Sequence, residues 1–155
     1  MQGCGLYLHS CRLGNDMNHS WPVKGWLHSA GLRSLPPEKA PSCLIAEDAA
    51  LISMTLESDF ECQGFACASV CSSADALRWL DANTPSVAIL DYLLRDGPCT
   101  MLAGVLRARG VPFLIYSGFP AQAACPELRE TMWITKPADR HTLVGAVSSL
   151  VASQP

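Results

Sequence analysis

Between residues 43 and 135 the chain carries five short apolar segments, separated by segments with helical spacing or turn residues. The apolar segments are CLIAE (43–47), FACASV (65–70), SVAILD (86–91), VPFLIYS (111–117) and TMWIT (131–135). Each has the length of a β-strand, and the most apolar ones are typical of strands buried on both faces. Strands that alternate with helices predict parallel pairing through right-handed crossovers. We therefore expect an α/β fold with a doubly wound, five-stranded parallel sheet.

Helical character varies among the connecting segments. The predicted helices are ALISMTLESD (50–59), SADALRWLDAN (73–83), CTMLAGVLRARG (99–110) and ADRHTLVGAVSSLVA (138–152). Ser72 or Ser73 can cap the second helix, Gly97-Pro98 is expected to open the third, and Gly110 to end it. Proline interrupts the segment FPAQAACPELRE (119–130), so at most a short helix is expected there.

The first 41 residues differ in character from the rest of the chain. Gly, Ser, His and Pro are frequent there, apolar periodicity is absent, and the segment ends in LPPEKAPS. Pro36, Pro37 and Pro41 disfavour a helix or a central strand. We expect residues 1–41 to form a flexible or poorly ordered extension and residues 42–152 to form the folded domain.

Composition excludes several classes of function. The net charge of −3 gives no basic face for nucleic acid, and no apolar run reaches the roughly 18 residues that a membrane-spanning helix needs. The chain start does not resemble a secretory signal, and the eight cysteines include no CxxC pair. A zinc site could be formed by Cys4, His9, Cys11 and His19, but their spacing does not match that of the usual zinc fingers. Scattered cysteines without a signal favour the reducing cytoplasm.

Polar side chains follow four of the predicted strands. Glu47 and Asp48 end the first, Asp91 the third and Ser117 the fourth, while Lys136 follows the fifth. Sites in such sheets form beyond the carboxyl ends of the strands, so we expect these residues to converge. Taken singly, each has an ordinary alternative, such as a helix cap for the second acid, a turn for the serine and a solvated surface position for the lysine.

Together, these side chains suit one kind of chemistry. Three neighbouring carboxylates repel one another, and a hard divalent cation relieves that repulsion. Mg²⁺ prefers carboxylate and water oxygens. The remaining ammonium and hydroxyl groups suit the oxygens of a phosphoryl group. The pattern therefore predicts a carboxylate that accepts a phosphoryl group beside Mg²⁺.

The chain resembles the receiver domain of two-component response regulators over essentially all of residues 42–152. The matching residues are the acidic pair Glu47-Asp48, the phospho-acceptor Asp91 within VAILDYLLRDG, Ser117 within FLIYSGF, the pair Lys136-Pro137, whose bond is commonly cis in the family, and Trp133 at the aromatic switch position. The resemblance implies a flavodoxin-like sheet with strand order 2-1-3-4-5. Within the family, the chain is also similar to stand-alone, chemotaxis-regulator-like receivers of bacteria.

The resemblance implies a mechanism as well. A sensor histidine kinase or a histidine phosphotransfer protein would donate the phosphoryl group to Asp91. The implied Mg²⁺ ligands are Asp48, Asp91 and the main-chain carbonyl of Leu93, with Glu47 acting through water. Lys136 and Ser117 would contact the phosphoryl group, and Ser117 and Trp133 would act as the switch. The phosphorylated protein would be no enzyme and would bind a downstream protein target not identified by the sequence.

The chain departs from the family pattern at three places. Arg95 stands where a proline is usual, Ser117 is followed by Gly118, and the region of the family's fourth helix is short and proline-broken. Leu93 and Phe119 flank the expected site, where apolar side chains could limit the access of hydrolytic water.

Three other functions compete with this interpretation. A small phosphatase with an aspartate nucleophile usually carries a second acid two residues later, and that position is Leu93. A receiver-like interaction module that is never phosphorylated is expected to lose the acceptor or the lysine, and Asp91 and Lys136 are both present. Nucleotide binding is disfavoured because the loop AEDAAL has no glycines to contact phosphate.

Overall fold

A computed structural model describes residues 40–154 of the chain. The predicted flexible extension, apart from its last two positions, lies outside the described residues. The candidate zinc group at Cys4, His9, Cys11 and His19 also lies outside them.

The described residues alternate between strands and helices. The strands are β1 (Ser42–Ala46), β2 (Ala66–Val70), β3 (Val87–Leu90), β4 (Leu93–Leu94), β5 (Gly97–Pro98), β6 (Phe113–Ser117) and β7 (Trp133–Thr135). The α-helices are α1 (Ala50–Glu61), α2 (Ser73–Leu80), α3 (Thr100–Ala108) and α4 (Arg140–Ala152). Two short 3-10 turns, Ala121–Ala123 and Pro126–Leu128, connect β6 to β7.

Five strands form one parallel sheet in the order β2-β1-β3-β6-β7. Counted along this sheet alone, the order is 2-1-3-4-5, so the predicted flavodoxin-like topology is confirmed. Ala46 of β1 pairs with Val70 on one side and Leu90 on the other, and Ser117 of β6 pairs with Thr135. The last residues of these strands therefore lie at one edge of the sheet.

The sheet is buried on both faces, as its apolar strands predict. One face packs against α2, α3 and the 3-10 turns, and its buried side chains include Leu44, Leu90, Leu80, Leu102, Leu106, Ile115 and Leu128. The other face packs against α1 and α4, and its buried side chains include Ile45, Ile89, Leu114, Leu56, Phe60, Leu143 and Val147. Among the described residues, no helix is both long and apolar enough to cross a membrane.

Helix ends follow the sequence signals in part. Ser72 caps α2, and its hydroxyl oxygen accepts a hydrogen bond from the Asp75 N–H at 3.1 Å. Gly110 follows the end of α3 at φ +69°, the left-handed conformation that glycine adopts at little cost. The interpretation of Asp48 as a possible cap for α1 is wrong, because Ala49 is the cap residue and, in the part of the chain that the structure describes, no side chain caps that end.

Two connections between strands and helices can be compared with the sequence predictions, and one of them differs. The third helix begins at Thr100, because Gly97-Pro98 is instead the return strand of a small hairpin that pairs with Leu93–Leu94. The proline-broken region after β6 contains only the 3-10 turns, as its sequence predicts. It still contributes to the core, since Leu128 is buried and the Glu127 carbonyl accepts a hydrogen bond from Arg107 at 3.1 Å.

Candidate functional site

The polar residues at the strand ends lie together at the carboxyl edge of the sheet. Glu47 and Asp48 follow β1, Asp91 follows β3, Ser117 ends β6 and Lys136 follows β7. A carboxylate oxygen from each of the three acids lies within 4.8 Å of the other two. The edge is therefore strongly acidic, and its charges differ in their exposure to water.

Lys136 connects two of the three carboxylates. Its ammonium donates hydrogen bonds to Glu47 and, at 2.5 Å, to Asp91 Oδ2. Burial alone would lower the pKa of this ammonium, but hydrogen bonds to Asp91 and Glu47 and the charges of both acids outweigh it, so the pKa is raised. The lysine therefore stays cationic between the two carboxylates at neutral pH.

The Asp91 carboxylate is oriented by donors on both of its oxygens. Its Oδ1 accepts a hydrogen bond from the Ser117 hydroxyl at 2.5 Å and from the Leu93 N–H at 3.3 Å, while Oδ2 faces Lys136. The Phe119 N–H in turn donates to Ser117 Oγ at 3.3 Å. The three donors to the carboxylate come from different parts of the chain, because Leu93 follows β3, Ser117 ends β6 and Lys136 follows β7.

Main-chain hydrogen bonds fix the strand ends that carry these groups. The Asp91 N–H donates to the Ala46 carbonyl at 2.8 Å, and the Glu47 N–H donates to the Val70 carbonyl at 2.9 Å. The Lys136 N–H donates to the Ser117 carbonyl at 3.0 Å, and the Lys136–Pro137 peptide bond is cis. The site is thus built on the ends of rigid strands, which suits a preorganised site.

The three acids have different environments. The Glu47 side chain is 2% exposed and bonded to Lys136, whereas Asp48 is exposed. The Glu47 carboxylate also accepts a hydrogen bond from the Ala49 N–H at 3.1 Å. Asp91 lies between them in exposure. The acid open to solvent is the one that most readily takes a hydrated cation.

Three aromatic side chains pack together beside the site, and the sequence did not predict this contact. Tyr92 stacks on Phe119 with ring centroids 4.8 Å apart and lies 5.6 Å from the Trp133 ring. The Trp133 indole N–H is buried and, within the described residues, has no hydrogen-bond partner. Spacing gives no signal for this stack, because its rings come from three different loops and strands.

The donor set fits a hard divalent cation. Three carboxylates face one ammonium, which leaves an excess of two negative charges at the edge of the sheet. Carboxylate oxygens with access to water are the ligands that Mg²⁺ prefers. The arrangement can hold such a cation and present one oriented carboxylate oxygen to an incoming electrophile.

No protein-family model and no curated protein matches the sequence. Solved structures do match it. The response regulator receiver domain (CheY-like) from Methylobacillus flagellatus is 27% identical, with a TM-score of 0.63, and the match covers 71% of this chain and 98% of that one.

Two further structures give the same picture. SdrG from Sphingomonas melonis Fr1 is 30% identical, with a TM-score of 0.63, over 72% of this chain and 96% of that one. The response regulator receiver protein from Sinorhizobium medicae WSM419 is 25% identical, with a TM-score of 0.66, over 75% of this chain and 98% of that one. The fold, the topology and these matches agree, and this chain belongs to the response-regulator receiver family.

Proposed function

We propose that this chain accepts a phosphoryl group on Asp91 from a phosphohistidine of a sensor histidine kinase or a histidine phosphotransfer protein. The resulting phosphoprotein then signals by binding a downstream protein. The observation that carries this proposal is the environment of Asp91, whose carboxylate is held by Lys136 and Ser117 beside Glu47 and Asp48. A reactive carboxylate with a cation and a hydroxyl donor next to it is what phosphoryl transfer needs.

The transfer is a substitution at phosphorus. A carboxylate oxygen of Asp91 forms a bond to phosphorus while the phosphorus–nitrogen bond of the donor breaks. The imidazole nitrogen keeps the bonding electron pair and takes up a proton. Lys136 already contacts Asp91 Oδ2, and it would also contact an oxygen of the negatively charged phosphoryl group as that group approaches Asp91.

The acidic edge would hold Mg²⁺ through Asp48, Asp91 and the main-chain carbonyl of Leu93, with Glu47 acting through water. When bound, Mg²⁺ supplies positive charge that offsets the charge on the transferred phosphoryl group. The contact between Lys136 and Glu47 supports an indirect role for Glu47, since one of its oxygens already has a cationic partner.

The product changes the hydrogen bonds of the switch residues. Ser117 donates to Asp91 Oδ1 in the unmodified protein, and a phosphoryl group on Asp91 offers this hydroxyl stronger acceptors. A shift of Ser117 moves the end of β6 next to Phe119, which stacks on Tyr92. We propose that Trp133 then repacks, and its indole N–H, which has no partner among residues 40–154, gives this side chain a donor that a second arrangement can satisfy.

The test uses the full chain with Mg²⁺ and acetyl phosphate as the phosphoryl donor. We expect intact-mass spectrometry to show the addition of one phosphoryl group, which should be absent when Mg²⁺ is chelated before the reaction and absent in Asp91→Asn. Asp81→Asn, which removes an exposed acid at the end of α2, is the matched control and should be modified normally. A wild-type chain that neither gains mass nor binds beryllofluoride would support the unphosphorylated interaction module instead.

The lifetime of phospho-Asp91 gives a further prediction. Leu93 is 53% exposed and Phe119 is 36% exposed, and their main-chain N–H groups contact Asp91 and Ser117 respectively. Apolar side chains here hinder the approach of water to the acyl phosphate, so Leu93→Asn is expected to shorten its half-life several-fold. Decay of the phosphorylated mass after removal of acetyl phosphate measures this half-life.

The control for that variant is Met101→Gln, which changes an exposed apolar side chain on α3 to an amide. We expect it to leave the half-life unchanged. If wild-type phospho-Asp91 decays as fast as the Leu93→Asn variant, Leu93 does not shield the acyl phosphate.

A further inference from the structure

Asp96 makes a two-point contact with a distant helix. Its Oδ1 accepts a hydrogen bond from the Ser73 N–H and its Oδ2 from the Ala74 N–H, both at 2.9 Å. These partners lie 23 and 22 residues earlier in the chain, in the first turn of α2. Both carboxylate oxygens are thus engaged by free N–H groups of a helix start, which favours negative charge there.

On its other side, Asp96 belongs to the hairpin that follows Asp91. Leu93 pairs with Pro98 and Leu94 with Gly97, so Asp96 lies in the turn between the two short strands. Gly97 has φ +115°, a conformation that side chains rarely adopt. The base of the hairpin is held by the Cys99 N–H, which donates to the Tyr92 carbonyl at 2.8 Å.

The hairpin reaches the site through Leu93. The Leu93 N–H donates to Asp91 Oδ1 at 3.3 Å, and its carbonyl is the main-chain metal ligand in the proposed function. A pair of two-residue strands is too short to hold its own position in water. Its position therefore depends on contacts at its base, its tip and the buried Leu94 side chain.

The contact at the tip also connects the hairpin to Glu47. Helix α2 follows β2 directly, and the carbonyl of Val70 at the end of β2 accepts the Glu47 N–H at 2.9 Å. Through Asp96, the hairpin that contacts Asp91 is therefore connected to α2, and α2 follows the strand that contacts Glu47.

We propose that Asp96 is a positioning residue that fixes the hairpin so that the Leu93 main chain is correctly placed for Mg²⁺ binding. This inference rests on the proposed function, because it concerns the same metal site. Asp96 acts through the hairpin, because its carboxylate contacts α2 and it is not one of the three clustered acids Glu47, Asp48 and Asp91. Groups that orient metal ligands in this way typically change metal affinity by an order of magnitude or more.

The test compares Asp96→Asn with Asp75→Asn by titration calorimetry of Mg²⁺ into the unphosphorylated full chain. Asp75 lies in the same first turn of α2 and carries the same charge, but its carboxylate contacts Ser72 and Arg78, not the hairpin. We expect Asp96→Asn to weaken Mg²⁺ binding about tenfold. Asp75→Asn should bind like the wild type although α2 loses a hydrogen bond.

A second variant keeps the test decisive if Asp96→Asn does not fold. Gly97→Ala leaves Asp96 unchanged but strains the turn, and we expect the same direction of change in Mg²⁺ affinity. Wild-type affinity in a folded Asp96→Asn, or in Gly97→Ala if the first variant is unfolded, would refute the positioning role, as would equal losses in Asp96→Asn and Asp75→Asn. A wild-type chain that binds no Mg²⁺ contradicts the proposed function itself.

Discussion

A Lys136→Met variant is expected to lose about 3 kcal/mol of unfolding free energy in Mg²⁺-free buffer. The lysine is the cationic partner of Glu47 and Asp91, whose side chains are 2% and 13% exposed. Methionine keeps much of the apolar stem but removes the charge, so two poorly solvated carboxylates remain side by side. Urea unfolding followed by circular dichroism measures the loss.

The matched control is Arg140→Met. Arg140 pairs with Asp59 at 3.4 Å, but the arginine side chain is 43% exposed, so this pair should contribute less than about 1 kcal/mol. Mg²⁺ should restore part of the stability lost in Lys136→Met, because the cation can neutralise the same carboxylates. Equal losses in the two variants would show that Lys136 does not compensate the acidic edge.

The pH dependence of this effect has a defined sign. The pKa of Lys136 is raised in the folded protein above its ordinary value of 10.5. The stability from its charge is therefore complete below that ordinary value and is lost as the pH rises through the folded pKa. The difference between wild type and Lys136→Met should stay constant around neutral pH, and above neutral pH it should shrink only in strong alkali.

Much of the sheet could be predicted because buried parallel strands leave nearly continuous apolar runs. The predicted strands 43–47 and 111–117 correspond to Ser42–Ala46 and Phe113–Ser117 in the structure. The hairpin at Gly97-Pro98 could not be predicted in this way, since strands of two residues have no periodicity. A Gly-Pro pair before a helical segment is equally compatible with a helix start.

The sequence predicted that the site residues converge, because a rule about parallel sheets requires it. It did not predict the individual side-chain contacts around them. Parallel strands end at one edge, so Asp91 and Lys136 had to lie near one another. The contact of Asp96 with α2 depends on where the unpredicted hairpin places its turn. The family resemblance implied different roles for Glu47 and Asp48, but the division between a buried Glu47 and an exposed Asp48 is not revealed by adjacent positions in a sequence.

That division leads to a second large effect. Asp48→Asn is expected to weaken Mg²⁺ binding by about tenfold or more, because ligand charge strongly tunes the affinity of such sites. Asp48 is exposed, and no hydrogen bond or ion pair engages its side chain within residues 40–154. Its negative charge therefore only adds repulsion in the metal-free protein, so the variant should be at least as stable as the wild type without Mg²⁺.

Glu47→Gln should behave in the opposite way on stability, since it removes a partner of Lys136 from a buried position. Calorimetric Mg²⁺ titration and urea unfolding of both variants separate the two roles, and Asp81→Asn again controls for the loss of one exposed negative charge. If Asp48→Asn bound Mg²⁺ as tightly as the wild type, the cation would not depend on the exposed acid. If both variants lost equal stability, the distinction between a paired and a free carboxylate would be wrong.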